Sequence, residues 1–350
     1  MGNYAQAVTG YTDMLNVLTF PNVPRNKIYD QYFDTSPFFA LLRTAGHIRE
    51  IQGGLFLQES INTSKSQNAV WYTGAGGWQT VTYQGIIALG WDWKFARDGV
   101  AITGEEIIKN ESSPDAIADL VQSRVDISSL TLPDLIAGDV YKNNPYGTGS
   151  DGNPGNPLSI EGLAVSVDNG TLAPNFGQQS RTTYPVLDAK VNYAGSVGST
   201  ILAQLQALWS SANRGQQSRT KVCFTTEAIY NSIWGQLQTP ERYTIDPRRL
   251  EALGIKTTGG NDLAFNDAVI LIDEKVPTSV VAPGSTGSGG FFYGLNTDFF
   301  ELSVHPDRFF GLTPWYKDPY GDQYFMDIFF AGALKCKRPN KQFNLWASGG

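Results

Sequence analysis

Residues 112–142 read SSPDAIADLVQSRVDISSLTLPDLIAGDVYK, and the rest of the chain is organised around them. Ser112 or Ser113 can cap a helix, Pro114 suits its first position, and Asp115 lies where the dipole favours a carboxylate. Apolar residues recur at Ile117, Leu120, Val121, Ile127, Leu130, Leu135, Ile136 and Val140, close to helical spacing. An unbroken helix from Pro114 to Tyr141 would be about 42 Å long at ~1.5 Å per residue. Pro133 lies inside it and removes one backbone donor, so a kink or break is expected there.

Upstream, the pattern changes to period two. IREIQGGLFLQESINTSK (48–65) alternates, VWYTGAGGWQTVTYQGIIALGWDWKF (70–95) alternates again, and the polar NTSKSQN (62–68) between them has turn composition. Residues 44–95 therefore predict a long two-stranded hairpin. An isolated hairpin is marginally stable in water, so this one is expected to lean on a neighbour. Trp71 and Trp78 would be costly to expose, and tryptophan is favoured at interfaces. Together with Ile61 and Lys65 near the tip, they are the candidate subunit-contact residues. Residues 1–43 carry Pro21, Pro24 and Pro37 but no sustained period, apart from a short helix expected around 38–42. They predict an arm that packs on another surface.

Downstream, NNPYGTGSDGNPGNP (143–157) is a connector without period, and LSIEGLAVSVDNGTL (158–172) predicts short alternating strands. From Pro185 onward helix and strand alternate. Residues 195–215 and 226–238 predict helices, and 219–225 and 267–276 predict strands. FFYGLN, FFELSVH and QYFMDIFFAGALK predict closing strands. The fold class is α+β.

Composition narrows the function. Hydrophobic residues make up 41% and aromatics 12%, as in a folded protein, whereas charged residues make up only 17%. A surface short of charge suggests that much of it meets other protein. The net charge of -7 counts against a nucleic-acid binder, which needs lysine and arginine to displace phosphate counterions. No apolar run is long enough to cross a membrane as a helix, and the start carries no secretory signal. Cys223 and Cys336 predict two buried free thiols made in a reducing compartment.

The search for catalytic chemistry finds little. His47 and His305 stand apart, with no second ligand at metal spacing. Gly147, Gly149 and Gly152 spell GxGxxG, but asparagine and proline follow where a nucleotide-binding turn requires a helix. Glu105 and Glu106, like Asp273 and Glu274, are adjacent and so do not share a face as an acid/base pair would. No catalytic residue, metal or cofactor is implied.

The order of arm, hairpin, long helix, α/β lobe and closing strands resembles the tailed-phage major capsid proteins of the Hong Kong 97 type. WDWKFARDGVAITGEEIIKN, IEGL, VCFTTEAIYNSIWGQL, FFYGLNTDFFELSVHPDRFF and QYFMDIFFAGALKCKRPNKQ have the look of such coats. The resemblance implies an N-terminal arm at 1–43, an E-loop hairpin at 44–95 and an axial α/β domain at 160–298. It also implies a peripheral domain at 96–159 and 299–350, with the spine helix at 112–142. Pentamers and hexamers of this chain would build an icosahedral shell around packaged DNA, touching it non-specifically at most. Portal, scaffolding or decoration proteins are the further partners it allows, with scaffolding, if used, supplied as a separate protein. Assembly would take place in the bacterial cytoplasm, and the protein would end in the virion. Some members weld subunits through a Lys–Asn isopeptide bond; Lys65 with Asn340 or Asn344 are the candidates here, although a solvated lysine is the expectation. An encapsulin-type compartment of the same fold is the first rival, and an α/β enzyme on residues 160–298 the second.

Overall fold

The computed structural model describes residues 36–66, 68–74, 80–82, 85–110, 114–196, 200–215, 218–237, 263–278, 280–281 and 288–348. Ser112, Ser113 and Trp78, and the arm before residue 36, lie outside them.

The described chain opens with helix α1 (Pro37–Thr44) and strand β1 (Ile48–Glu50). The hairpin strands β2 (Leu57–Asn62) and β3 (Ile86–Trp91) follow, then β4 (Lys94–Thr103) and α2 (Gly104–Asn110). Helix α3 (Pro114–Lys142) is next. A one-turn helix α4 (Leu163–Ser166) leads to a tight hairpin of β5 (Asn175–Phe176) and β6 (Gln179–Ser180). The second lobe is built from β7 (Lys190–Ser196), α5 (Ile201–Ala212), β8 (Val222–Thr225) and α6 (Glu227–Leu237). It continues with β9 (Ala264–Phe265), β10 (Ala268–Ile272), β11 (Val280–Val281) and β12 (Ser288–Leu295). The closing strands are β13 (Phe300–Leu312), β14 (Tyr316–Lys317), β15 (Gln323–Cys336) and β16 (Phe343–Ser348).

Two sheets carry the fold. In the first, β15 is the central strand: β13 and β14 pair along one edge and β4 along the other, all antiparallel, and β1 joins β13 in parallel. The second runs β7-β16-β12-β8-β10-β9, with β11 on β12. Strand β16, which the sequence grouped with residues 299–350, therefore lies inside the second sheet, parallel to β7 and antiparallel to β12.

Helix α3 runs unbroken through Pro133, so the expected break does not occur. Its buried face is Val121, Val125, Leu132, Ile136 and Val140, with the small Ser128, Ser129 and Ala137 between them. The helix lies on β4, where Ser128 Oγ donates to Asp98 Oδ2 at 2.5 Å and the Arg124 guanidinium donates to Glu106. The Arg124 bond, followed by that of the Thr103 amide, lowers the Glu106 carboxyl from its usual 4.5 to about 2. Of the apolar residues that set the sequence period, Ile127, Leu130 and Leu135 face outward instead. Proline costs one hydrogen bond here, and burial of the face that carries it outweighs that loss.

Aromatic rings join the lobes. Phe38 of α1 stands 6.4 Å from Tyr141 of α3, 5.9 Å from Phe224 of β8 and 5.7 Å from Phe300 of β13, so one side chain touches both sheets and the long helix. Tyr141 Oη donates to Asp273 Oδ2 at 2.8 Å in the interior.

The stretch 158–172 corrects the sequence reading, because it forms α4 and a loop instead of strands. The Asp168 carboxylate collects the amides of Gly170, Leu172 and Ala173 and bends the chain into a loop that no ladder could replace. The preceding glycine-rich connector folds against the end of α3. At Gly155 a Cβ would fall 1.7 Å from Asn144 O, so its glycine serves a close backbone approach and not a phosphate. From this loop Tyr146 Oη donates to Glu161 Oε1 at 2.5 Å, and Glu161 Oε2 is buried with no hydrogen-bond partner among the described residues.

Candidate subunit interface

Among the described residues, the hairpin ladder runs near its root. β2 and β3 register from Leu57 opposite Trp91 to Asn62 opposite Ile86, and Thr63 N donates to Gly85 O at 2.8 Å one step beyond. Further out, a single side chain replaces the ladder. Asn68 Nδ2 donates to Val81 O at 2.8 Å, and Val81 N donates back to Asn68 Oδ1 at 3.1 Å. Outside this clip Trp71 is fully exposed, with Val70, Tyr72 and Val81 exposed beside it. Lys65 is exposed as well.

Ile61 differs from the other candidates. It sits in the paired root opposite Ile87 and packs partly against the main core. The structure thus places Ile61 at the anchor, and Lys65 and Trp71 on the projecting part.

Two devices fix the root. The first is the turn between β5 and β6, where Gly177 and Gln178 both have positive φ, 53° and 63°, as in a type I′ hairpin. That turn meets β3: Gly90 N donates to Gly177 O at 3.0 Å, and the Trp91 and Phe176 rings meet edge to face at 5.8 Å. A Cβ on Gly177 would lie 2.9 Å from that of Leu89, so glycine is required by both conformation and contact. In sequence, FGQQ (176–179) carries one glycine at the turn, a signal weaker than the Asn-Gly or Asp-Gly pair that marks such hairpins.

The second device is an ion network across strands. Lys335 Nζ on β15, its side chain 2% exposed, lies 2.9 Å from Glu301 of β13 and 3.3 Å from Glu59 of β2. Lys337 Nζ lies 2.6 Å from Glu301. Burial pushes the Glu301 carboxyl up, but hydrogen bonds from Lys337 and Lys335 outweigh it and bring it down to about 2. Glu59 is thereby held between the hairpin and the first sheet. The alternation of Glu59, Glu301, Lys335 and Lys337 is unremarkable in sequence, since their meeting depends on pairing between distant strands.

Elsewhere the structure places the remaining sequence candidates. Both cysteines are buried and unpaired, and burial pushes the Cys336 thiol up to about 12. Asn340 is half-buried, whereas Asn344 is fully buried inside β16, opposite Tyr293 of β12. Asn344 is thus closed to any lysine of a neighbour. His47 and His305 are well apart, the first 3.9 Å from Asp298 and the second against the Trp93 ring. No group of three potential metal ligands occurs among the described residues. Nor, among them, is any helix long and apolar enough to cross a membrane.

A projecting hairpin, a long helix laid on the first sheet and an α/β lobe closed by a returning strand define the Hong Kong 97-like fold of tailed-phage capsid proteins. Among solved structures, the chain is similar to the capsid asymmetric unit of cyanophage A-1(L), with a TM-score of 0.62 and 14% identity over 89% of this chain and 92% of that one. It is similar also to the capsid of a native GTA particle, with a TM-score of 0.52 and 11% identity over 88% and 90%. A third likeness is the holo-SrpI encapsulin complex from Synechococcus elongatus PCC 7942, with a TM-score of 0.50 and 10% identity over 89% and 87%. No family profile and no curated protein matches the chain by sequence.

Proposed function

We propose that this chain is the major capsid protein of a tailed bacteriophage, assembling through pentamers and hexamers into the icosahedral head that encloses double-stranded DNA. The observation that carries this reading is the whole-length likeness to phage capsids, which spans 89% of the chain. Domain roles follow from it. The first sheet with α3 is the peripheral domain and its spine, the second sheet with α5 and α6 is the axial domain, and the hairpin is the E-loop. The outer hairpin agrees, since Trp71, Val70 and Val81 are exposed apolar residues on its described part. The acidic balance agrees as well, because a lining that gripped DNA would hinder packing and release. On this reading the protein is structural and not an enzyme. It is assembled in the host cytoplasm, resides in the virion, and meets portal, scaffolding or decoration proteins at its surface.

Negative-stain microscopy of the purified, expressed chain tests the proposal. Closed shells are the expected result, and a stable monomer that binds a small molecule would overturn it. A second reading, an encapsulin-type compartment, is favoured by the likeness to the SrpI encapsulin. Portal and terminase genes beside this one would decide for the phage head, and a cargo-enzyme gene for the compartment.

A further inference from the structure

Cations collect where the hairpin root meets the second lobe. A cleft of about 430 Å³ opens there, walled by Ile61 and Ile86 of the hairpin and by Arg338, Pro339 and Lys341 of the segment joining β15 to β16. Lys335 and Lys337 are neutralised by Glu59 and Glu301. Arg338, Lys341 and the neighbouring Lys190 have no carboxylate within ion-pair distance among the described residues. Arg338 lies over the Phe299 ring, and Lys341 Nζ donates only to the carbonyl of Arg214. Arg338 and Lys341 line the same cleft, and Lys190 N donates to Gln342 O at 3.0 Å beside Lys341, so the cations lie close together; burial, then the charges of Arg338 and Lys190, lowers the Lys341 pKa. In a chain of net charge -7, a group of cations with no ion-paired carboxylate among the described residues, beside apolar walls, is a socket for an acidic, aromatic segment.

The same chain carries such a segment. Asp318, Pro319, Tyr320 and Gly321 form a turn with proline and glycine at the positions a type I turn prefers. Tyr320 is 98% exposed, and Asp322 is exposed beside it, with Lys317 3.4 Å away. Asp318 accepts from Tyr320 N at 3.0 Å and has no cation within ion-pair distance among the described residues. This turn immediately precedes β15 and the socket immediately follows it. Fourteen residues at ~3.3 Å each separate them by roughly 46 Å. Knob and socket therefore cannot meet within one subunit.

We propose that the turn at residues 318–322 of one copy docks in the hairpin-root cleft of a second copy. The inference rests on the capsid reading and adds to it a specific contact. The contact is heterologous, each subunit giving its knob to one neighbour and receiving a knob from another, an arrangement that closes into rings. Docking relieves the repulsion among Arg338, Lys341 and Lys190, covers Tyr320, and braces the hairpin, whose Ile61 and Ile86 form one wall.

The test joins Tyr320→Cys with Asn340→Cys, a residue lining the cleft, and treats assembled particles with a short bismaleimide. Cys223 and Cys336 are buried, so the background is low. A ladder of multimers on a denaturing gel is expected, with monomer only from either single variant. Shells verified by microscopy that give no ladder overturn the docking and leave the capsid reading standing. Wild-type chain that never forms shells overturns the capsid reading itself. In a second arm, Tyr320→Ala and the pair Arg338→Glu/Lys341→Glu are checked for native circular dichroism. Each should raise the subunit concentration needed for assembly by roughly tenfold or more. Unchanged thresholds overturn the docking. So does impairment by the charge reversals alone, which would mean that a different segment fills the cleft.

Discussion

Glu161 shows how one residue couples the fold to pH. Burial raises its carboxyl from the usual 4.5 to about 7, with the Tyr146 hydrogen bond and Lys94 opposing and Asp92 adding to the rise. The folded pKa thus exceeds the unfolded one. Its contribution to stability is complete below about pH 4.5 and is lost as pH rises through 7. Thermal melts should show Glu161→Gln with less loss of stability than the parent between pH 5 and 8; parallel melting curves would refute this. Phe38 acts at the same scale by packing. Removing a ring that touches α3 and both sheets should cost about 3–5 kcal/mol, read from denaturant unfolding of Phe38→Ala. Neither role was legible in the sequence. Phe38 was expected only in a short helix, and the partners of Glu161 come from a loop whose path is set by glycine contacts and carboxylate-bound amides.

At the scale of elements, α3 separates what sequence can and cannot say. Its existence and extent follow from the apolar period and Pro114, and the structure agrees with both. Its facing does not, because apolar residues lie on two sides: Val121, Val125, Leu132, Ile136 and Val140 inward, Ile127, Leu130 and Leu135 outward. The inward face includes Ser128 and Ser129, which an apolar count misses but which contact needs, since small side chains let the helix lie close on β4. Leu132→Ala should therefore destabilise the subunit by about 2–5 kcal/mol, read from chemical denaturation. Leu135→Ser should change subunit stability by less than about 0.5 kcal/mol, so any loss it causes will appear in assembly. The helices of the second lobe and most strands were also legible from local period. The short pairing of the hairpin was not, because it stops where the Asn68 clip takes over from the ladder.

For the whole molecule, hairpin and subunit should prove separable. Excising residues 64–82 leaves the paired root, its ion network and the supporting β5–β6 turn in place. The shortened protein should stay soluble and keep the parent's melting temperature, while electron microscopy shows loose capsomers or fragile shells. Robust shells of normal appearance would remove the E-loop assignment. Boiled in detergent, assembled particles should run as a single 38.3 kDa band, and higher bands would reveal a covalent weld. Sheet order was the least legible property, since β4 meets β15 and β7 meets β16 only through contacts remote in sequence.

That remoteness bears on synthesis. β15 is the shared partner of β4, β13 and β14, and β16 lies between β7 and β12, so both sheets await strands that leave the ribosome after all their other strands. Neither lobe can close around a nascent chain, and contacts so distant in sequence slow closure further. A ribosome-bound fragment ending before residue 343 would lack an interior strand of the second sheet. On the capsid reading, translation would act as a checkpoint: copies lacking β16 cannot present a complete surface to a growing shell, and each copy that joins has been read at least through that strand.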